Sequence, residues 1–268
     1  MSGGLGRASD ELADRVHSAL MEHSVVVFPD ADLDPRAMVR LGRSLGTLGM
    51  RHHSYRTHPD SEDVVVLAWE GDQKPDAAEW HSDMTYRSQP PFASILKAVE
   101  VPPVGGDTLW ASMFAVHDAL EPGLRRDLEQ LEAVHDMGAF RTGAYLDGGD
   151  EGLSAALVEA GTAVHPVIAH HPVTGRAYLN VSESFTRFVI GLSAPESARL
   201  LTYLFDLVNR PDFHVRIRWR PGTVVVWDNR GTQHYAVADY LPQRRVMHRV
   251  AVVTDRRTPS ALLPDDGA

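Results

Sequence analysis

The sequence predicts a mainly β protein with flanking helices, built on a jelly-roll or barrel core. Three observations carry that expectation. Apolar runs are short and numerous, at residues 25–28, 64–67, 94–99, 164–170, 177–181, 215–219, 223–227 and 246–253. Turn-forming Pro, Gly, Asn and Asp punctuate them, as short strands require. Helical spacing is confined to a few intervening segments. No repeat, low-complexity tract or linker divides the 268 residues, so 1–268 is expected to form a single domain.

The elements follow in order. Residues 11–22 place Leu12, Val16 and Leu20 at helical spacing, and the run Val25-Val26-Val27-Phe28 reads as a buried strand ended by Pro29-Asp30. A second helix spans 34–45, with Asp34 as N-cap and Pro35 in the first turn. Residues 64–67 read as a buried strand, 71–79 as a loop and 94–99 as a strand. After the turn-rich 102–107, Thr108-Leu109-Trp110 begins the next element, and 113–120 and 124–131 read as helices. Five glycines make 138–152 a mobile surface loop or lid. Strands follow at 164–170 and 177–181, a helix at 194–209 with Leu200, Leu201, Leu204 and Leu207, and strands at 215–219, 223–227 and 246–253.

Composition narrows the function. The formal net charge of −10 argues against nucleic acid as a partner. The basic stretch 214–220 alternates, which reads as a strand with a solvated arginine face. There is no cysteine, so disulfides, thiolate ligands and a thiol nucleophile are excluded. Residues 1–14 have no signal-type apolar stretch, and no apolar run approaches the roughly 20 residues of a membrane span. The expectation is a soluble cytoplasmic protein without a membrane partner.

Two segments carry chemistry. One is Trp80-His81-Ser82-Asp83; the other is Trp227-Asp228-Asn229-Arg230-Gly231-Thr232-Gln233-His234. On extended backbone, residues two apart share a side, so His81 and Asp83 can reach one ion. With His234, expected just past a strand end, they offer two imidazoles and a carboxylate. That face with open positions suits a non-haem Fe(II) oxygenase. A His-x-Asp pair alone is weak: His58-Pro59-Asp60 is a second, in a turn-type cluster that reads as a surface loop. His170-His171 cannot share an ion, because adjacent strand residues face opposite ways. The remaining histidines, His17, His117 and His135 among them, read as surface or core-edge residues.

Downstream of the turn at 238–242, period 2 puts Arg245, Met247 and Arg249 on one strand face. Two inward guanidiniums call for two anionic partners. Asp83 is the obvious protein carboxylate, and a metal would already use it, so bound ligands are the expected partners.

These residues resemble the TauD/TfdA group of Fe(II)/2-oxoglutarate-dependent dioxygenases. The resemblance covers about residues 10–255 and is most specific over 227–249, with further matches at 80–85 and 105–110. It implies a double-stranded β-helix with His81, Asp83 and His234 on iron. It also implies that Arg245, helped by the Thr108 hydroxyl, binds the distal carboxylate of 2-oxoglutarate. Arg249, with His52, Tyr55 and Phe185, would line the pocket for a small anionic substrate: sulfonate, sulfate ester, carboxylate or phosphonate. The implied reaction is hydroxylation with O2, sometimes followed by cleavage, with release of succinate and CO2. Because Asp83 is present, halogenation is not implied. Position 77 is Ala where the taurine enzymes carry a polar residue, and 143–152 differs from theirs. The anion-binding end is therefore matched and the far end of the substrate is left open. Phe140 reads equally as a pocket residue and as loop packing. Alternatives are a natural-product tailoring oxygenase acting on a carboxylate, a non-catalytic iron/2-oxoglutarate sensor and a metal-free jelly-roll interaction protein. The family often forms homo-oligomers, but no interface is readable here.

Overall fold

The computed structural model describes residues 5, 9–49, 55–72, 75, 78–138, 149, 151, 154, 158 and 161–258. Helix α1 (Asp10–His23) starts where the Ser9 side chain accepts from Leu12 N, and α2 (Pro35–Leu45) starts where Asp34 accepts from Ala37 N at 2.6 Å. Both caps satisfy amides that the first turn leaves unpaired. Strands β1 (Val25–Phe28), β2 (Arg56–His58), β3 (Ser61–Trp69) and β4 (Ala93–Glu100) belong to the largest sheet. β12 (Val224–Asp228) and β14 (Arg245–Val252) complete it, in the order β1-β12-β4-β14-β3-β2. A second sheet is ordered β11 (His214–Ile217), β5 (Thr108–Ser112), β13 (Thr232–Ala236). A third is β10 (Thr186–Val189), β6 (Glu132–His135), β7 (Ala163–Pro166), and β8 (Ile168–His170) pairs with β9 (Ala177–Leu179). Helices α3 (Met113–Asp118), α4 (Pro122–Leu128) and α5 (Ala194–Val208) flank them. The architecture is mainly β with helices around it, as expected.

Period 2 sorts the core. In β12, Val224 and Val226 join one apolar cluster with α1 and α2 residues such as Val16, Leu20, Met38 and Leu41. Val225 and Trp227 face the other way, into a cluster with Trp69, Leu96, Trp110, Trp219 and Met247. That second cluster lies between the six-stranded sheet and the β11-β5-β13 sheet. β12 is buried on both faces, which is why its sequence is a continuous apolar run rather than an alternating one. A further cluster joins α3 and α5 to the smaller sheets.

Several expectations are corrected. β1 is half-buried except for Phe28. The run at 164–170 is two strands, β7 and β8. The helix expected over 124–131 ends at Leu128, and β6 follows it. β2, β6, β10 and β13 were not anticipated. Each is five residues or fewer; β2 is wholly polar and the others mix polar with apolar residues, which gives periodicity too little to work on. His58 ends β2, paired to Ser61, and Pro59-Asp60 form the exposed turn of the β2–β3 hairpin, in keeping with the surface loop expected there. Of the loop expected at 138–152, only Gly138, Gly149 and Glu151 are described, and Glu151 has helical backbone. His17, His117, His135 and His171 are all buried, whereas most of the histidines outside the triad were expected at the surface or core edge, where His23, His165 and His214 do lie.

A buried polar chain braces the end of β12. His171 Nε2 lies 2.7 Å from Asp228, Arg230 contacts Asp228 and Asp255, and Asp255 lies 3.1 Å from His17. The Arg230 guanidinium also covers the Phe92 ring at 4.4 Å. Between β12 and β13, Gly231 passes against Phe114, where an added Cβ would sit 2.2 Å from Cε2. Gly231→Ala therefore forces a buried ring to move. It should lower stability by about 1–3 kcal/mol and Tm by roughly 3–10 °C, measured by thermal melts.

Candidate metal centre

The site begins with a backbone bridge. His81 N donates to His234 O at 3.1 Å, and His234 N donates to His81 O at 2.8 Å. This pair seats the segment after Trp80 against β13 and brings the two imidazole centroids to 4.1 Å. His234 thus lies within a strand rather than beyond one. Its alternation sends His234 inward, near the Trp227 indole at 4.9 Å and stacked with Trp110 at 6.4 Å.

Asp83 arrives differently from the expectation. After His81 the chain turns over 83–86, with Met84 at φ 56°, so no strand pleat aligns the two side chains. Asn229 does the holding instead. Its Oδ1 accepts from Asp83 N at 2.7 Å, and its Nδ2 donates to Asp83 O at 3.0 Å and to Pro91 O at 3.1 Å. Ser82 Oγ adds a bond to Thr232 O at 2.7 Å. The result is three buried groups, His81, Asp83 and His234, each with a ligand atom within 4.8 Å of the others.

Their chemistry suits a divalent ion. His81 Nδ1 lies 2.8 Å from the Glu79 carbonyl, where it donates if protonated, which leaves Nε2 as the ligand atom. Burial lowers the His81 pKa, against the opposing pull of Asp83. Burial and the neighbouring His81 push His234 down to about 3. Burial raises the Asp83 carboxyl, but Arg249 and the two imidazoles outweigh it and hold the group ionised. Ser94 Oγ donates to Asp83 Oδ2 at 2.9 Å, which leaves Oδ1 facing His234 Nε2 at 3.9 Å. Two neutral imidazoles and one anionic oxygen are the donor set for Fe(II) or a similar ion.

The two arginines of β14 both face this side, and they differ. Arg249 NH1 donates to Asp83 Oδ1 at 2.8 Å, so its partner in the protein is the carboxylate that the sequence reading assigned to the metal alone. Arg245, 3% exposed, has no carboxylate in ion-pair range among the described residues. It donates to Gly106 O at 3.1 Å and Thr108 Oγ1 at 3.3 Å, and burial pushes its pKa down to about 10. Phe185 lies edge-on to His81 at 6.0 Å and to Tyr86 at 5.4 Å. Tyr55 packs edge-on to Trp69, in the cluster beneath the site. His52, Ala77 and Phe140 lie outside the described residues. Asn229 and Ser94 were not singled out from sequence. An Asn between two charged residues and a Ser in an apolar strand carry no motif of their own.

Comparison with known proteins gives a consistent result. Residues 4–251 match the family described as taurine catabolism dioxygenase TauD, TfdA family. The alpha-ketoglutarate-dependent dioxygenase cnsM of Penicillium expansum is 32% identical in an alignment that covers 98% of this chain and 77% of that protein. The alpha-ketoglutarate-dependent sulfate ester dioxygenase of Pseudomonas putida is 33% identical over 248 residues, 89% of this chain and 80% of that protein. The crystal structure of a taurine dioxygenase from Burkholderia xenovorans matches with a TM-score of 0.79 at 30% identity, covering 94% of this chain and 83% of that one.

Two outcomes are expected. His81→Ala should abolish uptake of one equivalent of Fe(II) or Mn(II) while the far-UV circular dichroism stays native; full uptake would move the site elsewhere. Acidification should destabilise the metal-free protein from near pH 6.5 downward. His234 and His135, at about 3, and His248, at about 4, stay neutral in the fold, whereas the unfolded chain takes up protons from near 6.5. Protons then favour the unfolded state, and a Tm that is flat from pH 7 to 5 would contradict this.

Proposed function

The chain belongs to the TauD/TfdA family of dioxygenases, and from that premise we propose an Fe(II)- and 2-oxoglutarate-dependent dioxygenase that hydroxylates a small anionic substrate. The observation that carries the proposal is the buried His81, Asp83, His234 triad together with a buried arginine, Arg245, that has no carboxylate in ion-pair range among the described residues. In this reading the fold is a double-stranded β-helix, and residues 1–268 form one domain. No described helix is long and apolar enough to cross a membrane.

His81, Asp83 and His234 would hold Fe(II). Arg245 and Thr108 would hold the distal carboxylate of 2-oxoglutarate, whose charge offsets the buried guanidinium. With both bound, the centre supplies the oxidising power to put one atom of O2 into a C–H bond, the other leaving in succinate alongside CO2. The protein contributes position and exclusion of water. Arg249 uses one nitrogen on Asp83, and the rest of its five-donor fork can take an anionic head group. Phe185, Tyr55 and His52 would line the space beside it. The relative named for sulfate esters supports a substrate with such a head, and sulfonates and carboxylates also present anionic oxygens that a guanidinium can take. Where the hydroxylated carbon bears the oxygen of an ester or the sulfur of a sulfonate, the product breaks apart.

The test is spectroscopic. Anaerobic addition of Fe(II) and 2-oxoglutarate should give a weak visible charge-transfer band, and a true substrate should shift it. A folded protein with no band would sink the reading. Arg249→Ala should keep the band and raise the substrate's KM at least about thirtyfold, since such charge pairs are worth roughly 2–5 kcal/mol. Loss of 2-oxoglutarate binding instead would exchange the two arginines.

A further inference from the structure

Thr108 is the hub of a small donor network that its sequence does not announce. It sits on β5, 1% exposed, at the meeting point of the two facing sheets. Its hydroxyl accepts from Arg245 NH2 at 3.3 Å and from the Trp219 indole Nε1 at 2.9 Å. Trp219 is 6% exposed and follows β11, with its ring 6.2 Å from that of Trp110. The indole nitrogen carries a single proton and spends it on this bond.

A hydroxyl has two lone pairs and one proton. Two N–H donors occupy both lone pairs of Thr108. The proton is excluded from those two directions and is left free to donate in the remaining one. Arg245 meanwhile spends two N–H groups on Gly106 O and Thr108 and keeps the rest of its fork without a carboxylate among the described residues. A hydroxyl forced to donate, beside a buried guanidinium, recognises a carboxylate.

We propose that Trp219 is a positioning residue for the co-substrate: its indole N–H fixes the Thr108 hydroxyl as a donor to the distal carboxylate of 2-oxoglutarate. This rests on the co-substrate reading above. Without the indole N–H, the Thr108 proton can turn into the vacated lone-pair direction, and the donor is no longer set in advance.

The test is calorimetric titration of the Mn(II)-loaded protein, in which no turnover is needed. Two keto acids are compared: 2-oxoglutarate, and 2-oxobutyrate, which lacks the distal carboxylate. Trp219→Phe should weaken 2-oxoglutarate about three- to tenfold, the range of a single hydrogen bond, and leave 2-oxobutyrate unchanged. In a Thr108→Val background the same change should have no further effect, and in Thr108→Ser the effect should persist. Equal losses for both keto acids would mean that the indole serves only packing and would overturn the proposal. So would no loss, or additive losses in Thr108→Val. Should Trp219→Phe fail to fold, Thr108→Val still tests the proposal, because undiminished 2-oxoglutarate binding in that variant would overturn it. If the unaltered protein binds neither keto acid, the co-substrate reading itself falls, a result distinct from a silent Trp219→Phe.

Discussion

The reciprocal backbone pair between His81 and His234 is the constraint on which the site depends. One of its members lies on a loop, and a loop left to itself would not hold an imidazole to a fraction of an ångström. Pairing it as a bridge to β13 gives it strand-like precision while Asp83, two residues on, remains free to turn. The closure joins distant parts of the chain, as the Ser82–Thr232 bond, 150 positions apart, also shows. Closure entropy grows slowly with length, so such distance is tolerable once local bonds fix the ends. Here those bonds are many: Asn229 to Asp83 and Pro91, Ser82 to Thr232, and the brace of His171, Asp228, Arg230, Asp255 and His17 behind them. The ligand set is therefore preorganised by protein contacts alone.

The sequence made the longer elements legible because their signals are periodic. The helices α1, α2 and α5 and the apolar strands β4, β12 and β14 all stood out. It also pointed to His81, Asp83 and His234, weak as a spacing alone but brought together in the fold, and to the two arginines on one face of β14. The missed parts have one physical cause. Strands β6, β10 and β13 take their identity from partners elsewhere in the chain, and Thr232-Gln233-His234-Tyr235-Ala236 becomes a strand only when β5 lies beside it. The assumed pleat through His81 and Asp83 failed for the same reason, since the turn at Met84 is set by Asn229 across the fold. Buried histidines were misplaced because a partner such as Asp255 for His17 is 238 positions away.

The arginines show how one strand face can carry two different electrostatic roles. Arg245 lies beside Tyr240 and Thr108, and burial depresses its pKa more than Tyr240 and the more distant Asp107 restore it, since no carboxylate is in ion-pair range among the described residues. Arg249, four residues on, is compensated by Asp83. A buried cation without a counter-charge is costly, and a dianionic co-substrate removes that cost where it is greatest.

Asp83 then links the two halves of the site. Ser94 takes Oδ2, so Oδ1 alone faces both Arg249 and the His234 side. One carboxylate oxygen has lone pairs enough for an ion and a guanidinium N–H together. In the proposed reading the same atom locates the metal and the arginine that grips the substrate. An anion held by Arg249 is thereby tied to the position of the iron, and the distance between the target C–H bond and the metal is set by a shared oxygen rather than by loop packing.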